Sequence, residues 1–269
     1  MSKASSRIKR RISAKNTLRN ICEQQSNFLI IHYSCESFYD TPQGRTPRIT
    51  SIAIRYFDTA QTKSFSIHKI AEFKNVPFEQ IENHYDELEK IMLDEYFDFV
   101  SKHSKYSWIH LNMRDINYGF EAINHRYIVL GGVPTEIGDN LKIDVGRLLV
   151  DLYGTQYIGH PRFERLCEKN HVTMSHFMTG AQEAEAFNNG EYVKLHQSTL
   201  RKVDNINTIL VRAHEGDLKT NSTLIKQYGI SPQSIFQLIQ ENWIFALIVF
   251  FLGIIITKVI DNYWGTPAK

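Results

Sequence analysis

Two residues at the end of an apolar stretch are the first candidates for chemistry. The run 28–31 (FLII) predicts a buried strand, and Glu36 follows it where a strand-end metal ligand would lie. A carboxylate pair would need an aspartate two residues earlier, where the chain has Ser34. A hydroxyl supplies one weak oxygen ligand and no charge, whereas Mg²⁺ and Mn²⁺ prefer carboxylate oxygens. The stretch is therefore open to two interpretations, a working metal site and a degenerate one.

Apolar periodicity around these residues predicts an α/β domain. Segments 27–33, 48–57 and 62–70 have the short, β-branched character of strands, and they follow one another as an antiparallel set. A fourth strand is predicted at 106–111. Apolar residues at helical spacing occur at 78–102, 114–131, 141–154 (after a short strand end), 160–172 and 181–213. Strands and helices in this order predict a mixed sheet flanked by helices.

Composition narrows the function classes. The 269 residues are 42% hydrophobic and 22% charged, with a net charge of +2, so the whole chain is not a polycation. The first 22 residues are basic, with no acid before Glu23, and they predict a basic flexible arm over 1–26. Such an arm is either solvated or in contact with phosphates of nucleic acid or anionic lipid. Three cysteines without a CxxC motif favour a reducing compartment.

Residues 243–264 (WIFALIVFFLGIIITKVIDNYW) form the most apolar segment. No charge lies between Trp243 and Thr257, and tryptophans stand at both ends, as interfacial aromatics do. A helix of this length spans roughly 33 Å, which matches a bilayer core; a buried core helix is the alternative. The sequence thus predicts a membrane protein with a single-pass C-terminal anchor and its soluble domain in the cytoplasm. The predicted divisions before this transmembrane helix are a domain at 27–214, a linker at 215–230 and a juxtamembrane helix at 231–242.

Several stretches have the order of a known set of motifs. LIIHYSCESF is similar to a strand ending in Asp-x-Glu-Ser/Thr, with Ser34 in the Asp position and Glu36 in the Glu position. WIHLNMRDINYGF offers Asp115 after a strand, and IDVGRLL offers Asp144. Over about residues 27–190 this order resembles the DEDD 3′–5′ exonuclease family, which has the ribonuclease H-like fold.

The third motif of that family has a His five residues before an Asp. HFMTGAQEAEAF is similar to it, with Glu183 in the Asp position. Met178 stands where the His belongs, and His176 is two residues away. The resemblance is therefore to a family whose motifs are altered here at the first carboxylate, at the third-motif acid and at the histidine.

The resemblance implies phosphodiester hydrolysis assisted by two Mg²⁺ or Mn²⁺ ions. It also implies a role for particular residues: metal ligation by Glu36, Asp115, Asp144 and Glu183, and catalysis by Glu36, Asp115, Glu183 and His176. Because Ser34 cannot bridge two metal ions, a weakened or lost nuclease site is favoured. Each acid also has a simpler interpretation: Glu36 as a solvated strand end, Asp115 as a helix N-cap and Glu183 as a surface charge near a helix N-terminus.

Nucleic acid or a nucleotide is the expected ligand, and protein partners cannot be identified. The predicted nucleic-acid contacts are Arg10 and Arg11 in the basic arm, and Arg201 and Lys202 in the last long helix. Three functions are compatible with the sequence. They are a membrane-anchored binder with weak or lost hydrolysis, an active membrane-tethered exonuclease, and a non-catalytic membrane scaffold or effector.

Overall fold

The fold is built on one five-stranded mixed sheet. A computed structural model describes residues 3–36, 46–223, 236 and 243–264. The strands are β1 Phe28–Cys35, β2 Ile49–Tyr56, β3 Thr62–Ser66, β4 Ser107–His110 and β5 Lys142–Asp144. Their order in the sheet is β3-β2-β1-β4-β5; β1, β2 and β3 pair antiparallel, while β1–β4 and β4–β5 pair parallel. The predicted α/β fold, with a mixed sheet flanked by helices, is confirmed.

Helices cover both faces of this sheet. The α-helices are α1 Lys3–Glu23, α2 Ile67–Phe73, α3 Tyr85–Lys102, α4 Phe120–Val129, α5 Val145–Tyr153, α6 Arg162–Lys169, α7 Gly180–Asn188, α8 Tyr192–Glu215 and α9 Trp243–Trp264. Short 3₁₀ helices occur at Gln25–Asn27, Phe78–His84 and Asp139–Leu141. Two apolar clusters lie on opposite faces of the sheet, one with α2, α3 and α4, the other with α1, α5 and α6. Helix α8 contributes residues to both clusters.

Strand β1 shows how the sequence divides between the two faces. Leu29 and Ile31 belong to the first cluster, whereas Phe28 and Ile30 belong to the second. Because side chains alternate along a strand, the pattern continues and places Ser34 on the Ile30 face. The carboxyl end of β1 therefore presents its polar residues toward α8, which lies against this strand.

Several predicted elements of the 27–214 domain have different bounds in the structure. The third strand, predicted at 62–70, ends at Ser66, and α2 begins directly after it. The helix predicted at 114–131 begins only at Phe120, since residues 114–119 form a loop closed by pairing of Arg114 with Gly119. The helix predicted at 181–213 is interrupted at Gly190, whose φ of +67° is the left-handed conformation that glycine readily adopts.

The N-terminal segment forms a helix where the sequence predicts a flexible arm. Helix α1 buries Leu18 and Ile21 in the same apolar cluster as α5 and the second half of α8. After α8, Leu218 is also buried, and the backbone N–H of Lys219 donates to the side chain of Asn170 at 2.8 Å. The described residues on both sides of the predicted 27–214 domain thus pack against its core.

The predicted transmembrane helix is wrong. Within residues 3–36, 46–223 and 243–264, no helix is both long and apolar enough to cross a membrane. The uncharged part of α9 with described side chains runs only from Leu247 to Thr257, before Lys258 and Asp261. A span needs about 20 apolar residues. The predictions of a single-pass C-terminal anchor and of a membrane localisation are therefore wrong as well. The predicted juxtamembrane helix lies outside the described residues, apart from Phe236.

Candidate functional site

Ser34 lies at the carboxyl end of β1, in the interior of the protein. It is fully buried, and its Oγ has no hydrogen-bond partner among the residues that the structure describes. Its carbonyl accepts a hydrogen bond from the Thr50 hydroxyl at 3.0 Å, which holds the strand end against β2. A buried hydroxyl without a partner is costly, so this position is a candidate functional site and not merely a packing position.

Glu183 is held in the same polar interior by helix capping. The Thr179 hydroxyl accepts from the Gln182 backbone N–H, and the Gln182 side chain accepts from the Thr179 backbone N–H, so the first turn of α7 is fixed. Glu183 follows in this turn, and its side chain is only 1% exposed. The interpretation of Glu183 as a surface charge is therefore wrong.

Lys202 neutralises this buried carboxylate. Its Nζ lies 2.7 Å from Glu183 Oε1, and the ammonium-bearing side chain is 8% exposed. The same oxygen also accepts from the Ser198 hydroxyl at 2.8 Å, one helical turn before Lys202 on α8. Glu183 Oε2 has no hydrogen-bond partner within the described chain. The predicted nucleic-acid contact at Lys202 is thus an internal ion pair.

His32 completes the buried polar cluster. Neither of its ring nitrogens has a hydrogen-bond partner in the described part of the chain. Burial, and then the positive charge of Lys202, hold the pKa of His32 well below its usual range. The imidazole is therefore neutral at pH 7. We call His32, Ser34, Glu183, Ser198 and Lys202 the β1–α8 cluster.

The other predicted ligands lie in separate environments. Asp144 caps α5, because its Oδ1 accepts from the Gly146 backbone N–H at 2.8 Å, and its Oδ2 lies 2.5 Å from Arg114 Nε. Asp115 is exposed and accepts from the backbone N–H of Asn117 at 2.9 Å. That contact closes a loop before α4 begins, so the N-cap interpretation of Asp115 is wrong.

Glu36 and His176 each line an open cavity outside the β1–α8 cluster. Glu36 Oε2 accepts from the Arg48 backbone N–H at 3.3 Å, and the residue lines an open cavity with Phe187 and Tyr192. His176 is exposed with a φ of +64°, in a different cavity. Ser34 pairs with Ser51, whose Oγ lies 2.8 Å from Thr199 Oγ1, and the adjacent Ser198 bonds to Glu183, so Ser34 and Glu183 are both buried along α8. The structure does not gather the predicted catalytic set around one point.

The donor set of the β1–α8 cluster does not fit a divalent cation. A metal ion at Glu183 would meet the Lys202 ammonium, a like charge, at hydrogen-bond distance from the same oxygen. Among the described residues, no group of three or more His, Cys, Asp or Glu side chains is placed to hold a metal ion. The cluster offers hydrogen-bonding groups and one carboxylate that an ammonium neutralises.

The predicted phosphate-contacting arginines are only partly at the surface. Arg11 is buried and donates from Nη1 to the Leu152 carbonyl at 2.8 Å. Arg201 donates from Nε to the Ser175 carbonyl at 2.9 Å, with Asp204 3.8 Å from its Nη1. Arg10 is two-thirds exposed, 3.9 Å from Asp151. Of the four predicted contacts, Arg10 is the most accessible to an external ligand.

A cavity at the carboxyl ends of β1 and β4 was not expected from the sequence. We call it the β1–β4 cleft; its volume is about 680 Å³. Residues that line it include Tyr33, Cys35, Arg114, Ile116, Asn117, Asn124, His125 and Ile128, together with the acids Glu121 and Glu136. The loop at its base is fixed by Tyr118, which stacks on Tyr33 at 4.6 Å and donates from its hydroxyl to the Tyr33 carbonyl at 3.2 Å.

Polar residues at core positions are the sequence signal for this site. On α8, Ser198 and Lys202 are spaced one turn apart, at positions that point into an otherwise apolar interface. His32 occupies an inward position of β1 in the same way.

Comparison of the chain with protein-family models, with curated proteins and with solved structures found no match.

Proposed function

We propose that this protein is a ribonuclease H-like protein that binds nucleic acid or nucleotides and has lost metal-dependent hydrolysis. One observation carries the proposal: the Glu183 carboxylate, in the position of a family metal ligand, is neutralised by the buried Lys202 ammonium at 2.7 Å. Ser34, in place of the bridging aspartate, removes a second negative charge from the same region.

The charges of the β1–α8 cluster balance one another without a metal ion. A divalent ion needs several carboxylates, and their mutual repulsion is tolerated only while the ion is bound. With Ser34 neutral and His32 neutral, one carboxylate remains at the cluster, and one ammonium balances it. The interior is then stable without a metal ion, which suits a binding protein and not a hydrolase.

The β1–β4 cleft supports binding of a nucleotide unit. In open α/β sheets, ligands bind outside the carboxyl ends of the strands, which is where this cleft lies. Its 680 Å³ falls in the usual range for ligand sites. Ile116 and Ile128 offer apolar surface for a base, while Asn124 and His125 offer hydrogen-bonding groups.

The experiment is a paired test of binding and cleavage with the full chain. Fluorescence anisotropy with labelled single-stranded DNA and RNA measures binding, with mononucleotides as competitors. Denaturing gels with Mg²⁺ or Mn²⁺ measure cleavage of the same molecules. We expect binding without shortening, and His125→Ala should weaken it about tenfold, or ~1.4 kcal/mol, while the exposed His214→Ala should not. Shortening that disappears in Glu183→Gln would overturn the proposal in favour of an active exonuclease.

A further inference from the structure

Another cavity, lined by two arginines, lies where α1 passes α5 and the segment after it. Its volume is about 290 Å³, and we call it the α1 pocket. The residues that line it include Arg7, Arg10, Asp151, Tyr153, Thr155 and Gln156. The pocket is at the lower end of the size range of ligand sites, so it suits a small anionic group and not a whole dinucleotide.

Two arginines face this cavity from one side of α1. Arg7 and Arg10 are three residues apart, so their side chains lie on the same face of the helix. Burial, and then the positive charges of Arg11 and Arg10, lower the pKa of Arg7. An anion in the pocket would relieve this repulsion between like charges.

The carboxylate in the pocket does not satisfy both arginines. Asp151 lies 3.9 Å from Arg10 Nε, which is too long for a hydrogen bond. Its side chain is 35% exposed, so water screens the interaction. One carboxylate thus faces two guanidinium groups, and the pocket carries a net positive charge.

Neighbouring contacts hold the pocket in place. Arg11 is buried and bonds to the Leu152 carbonyl, which fixes α1 against the end of α5. Arg162 donates from Nη2 to the Thr155 carbonyl at 3.0 Å and so supports the opposite wall. Both contacts place further positive charge beside the cavity. These contacts therefore fix the position of the helix that carries Arg7 and Arg10 relative to the opposite wall of the pocket.

We propose that the α1 pocket binds a phosphate group of a nucleic-acid backbone through Arg7 and Arg10. The planar guanidinium fork matches phosphate oxygens with two parallel hydrogen bonds. The Thr155 hydroxyl and the Gln156 amide supply further donors at the pocket wall. This inference deepens the proposed function and rests on it, since it names a contact that holds the strand outside the β1–β4 cleft.

The test compares two double variants of the full chain. Arg7→Gln/Arg10→Gln removes both charges that face the pocket. Lys9→Gln/Arg19→Gln removes two exposed charges from the same helix without touching the pocket. Binding of a labelled single-stranded oligonucleotide is measured between 50 and 200 mM salt, roughly the range over which counterion release is resolved. Calorimetry with inorganic phosphate on each variant measures the pocket alone.

We expect the pocket variant to lower the slope of log K against log salt by about 0.7, since the two arginines contact one phosphate and each phosphate contact on a single strand contributes about that much. Phosphate binding should weaken at least about tenfold in the pocket variant and stay unchanged in the Lys9/Arg19 variant. Equal slopes in the two variants would overturn the pocket assignment while leaving the proposed function intact. Phosphate binding that needs Arg7 and Arg10, in a chain that does not bind oligonucleotides, would overturn the proposed function instead.

Discussion

Replacement of Lys202 by methionine tests the electrostatics of the β1–α8 cluster. Methionine keeps the length and apolar stem of the side chain but removes the ammonium that neutralises Glu183. The Glu183 side chain, 1% exposed, would then be a buried carboxylate with only the Ser198 hydroxyl at Oε1. Breaking a buried ion pair by removing one partner costs about 3–5 kcal/mol. We expect Lys202→Met to lower the free energy of unfolding by ~3 kcal/mol at pH 8.

A second variant separates this electrostatic cost from lost packing. The double variant Lys202→Met/Glu183→Gln carries no unpaired charge, so it should recover about 2 kcal/mol of the loss. This recovery would be absent if Lys202 served only to fill space.

The same helix provides a matched control for the assay. Lys194 lies 2.6 Å from Glu191, but these side chains are 61% and 36% exposed. An exposed pair contributes little, so Lys194→Met should change the free energy of unfolding by about 0.5 kcal/mol or less. Urea unfolding of the full chain measures all three variants beside the wild type. A Lys202→Met loss no larger than that of Lys194→Met would show that Lys202 does not neutralise a buried charge.

Further predictions concern acid stability and the loop before α4. Burial lowers the pKa of His196 to about 3, so below about pH 6.5 the unfolded chain binds a proton that the folded chain does not. From pH 7 to pH 5 urea unfolding should show a loss of ~2 kcal/mol from this group, absent in His196→Gln. A Cβ at Gly119 would lie 2.6 Å from the Met113 carbonyl carbon, so Gly119→Ala should destabilise by about 1–3 kcal/mol, measured as a lower melting temperature. Gly138→Ala, which meets only the end of the Asn140 side chain, should have little effect.

The local pattern of apolar residues is sufficient to predict the main strands of the sheet. The apolar runs at 28–31 and around 49–54 predict β1 and β2, because buried strands need β-branched and apolar residues. Pattern did not separate β3 from α2, since Ile67 and Ile70 suit either a strand or one face of a helix. The loop at 114–119 was also missed, because its closure depends on pairing of Arg114 with Gly119.

The site depended on contacts that no local pattern encodes. Lys202 and Glu183 are 19 residues apart and meet only because α8 folds back beside α7. A lysine on a helix is most often solvated, so its burial is visible only once β1 lies beneath α8. The order of the motifs predicts the positions of the acids. Their ion-pair partners, Arg114 for Asp144 and Lys202 for Glu183, are visible only in the tertiary fold.

The burial of Arg11 and the helical state of residues 3–23 have the same origin. Seven basic residues in the first 22 suggest a solvated arm. Leu18 and Ile21 outweigh that tendency because α5 and α8 offer them an apolar surface. Sequence composition alone does not report that such a surface exists.

Manganese binding measured by electron paramagnetic resonance tests whether Lys202 excludes a metal ion from Glu183. The full wild-type chain is titrated with Mn²⁺ beside Glu183→Gln and the double variant Ser34→Asp/Lys202→Met. We expect no Mn²⁺ bound through Glu183 in the wild type, and a new bound signal in the double variant, where two carboxylates replace one ion pair. Stoichiometric Mn²⁺ binding by the wild type that is lost in Glu183→Gln would show instead that Lys202 does not exclude the metal.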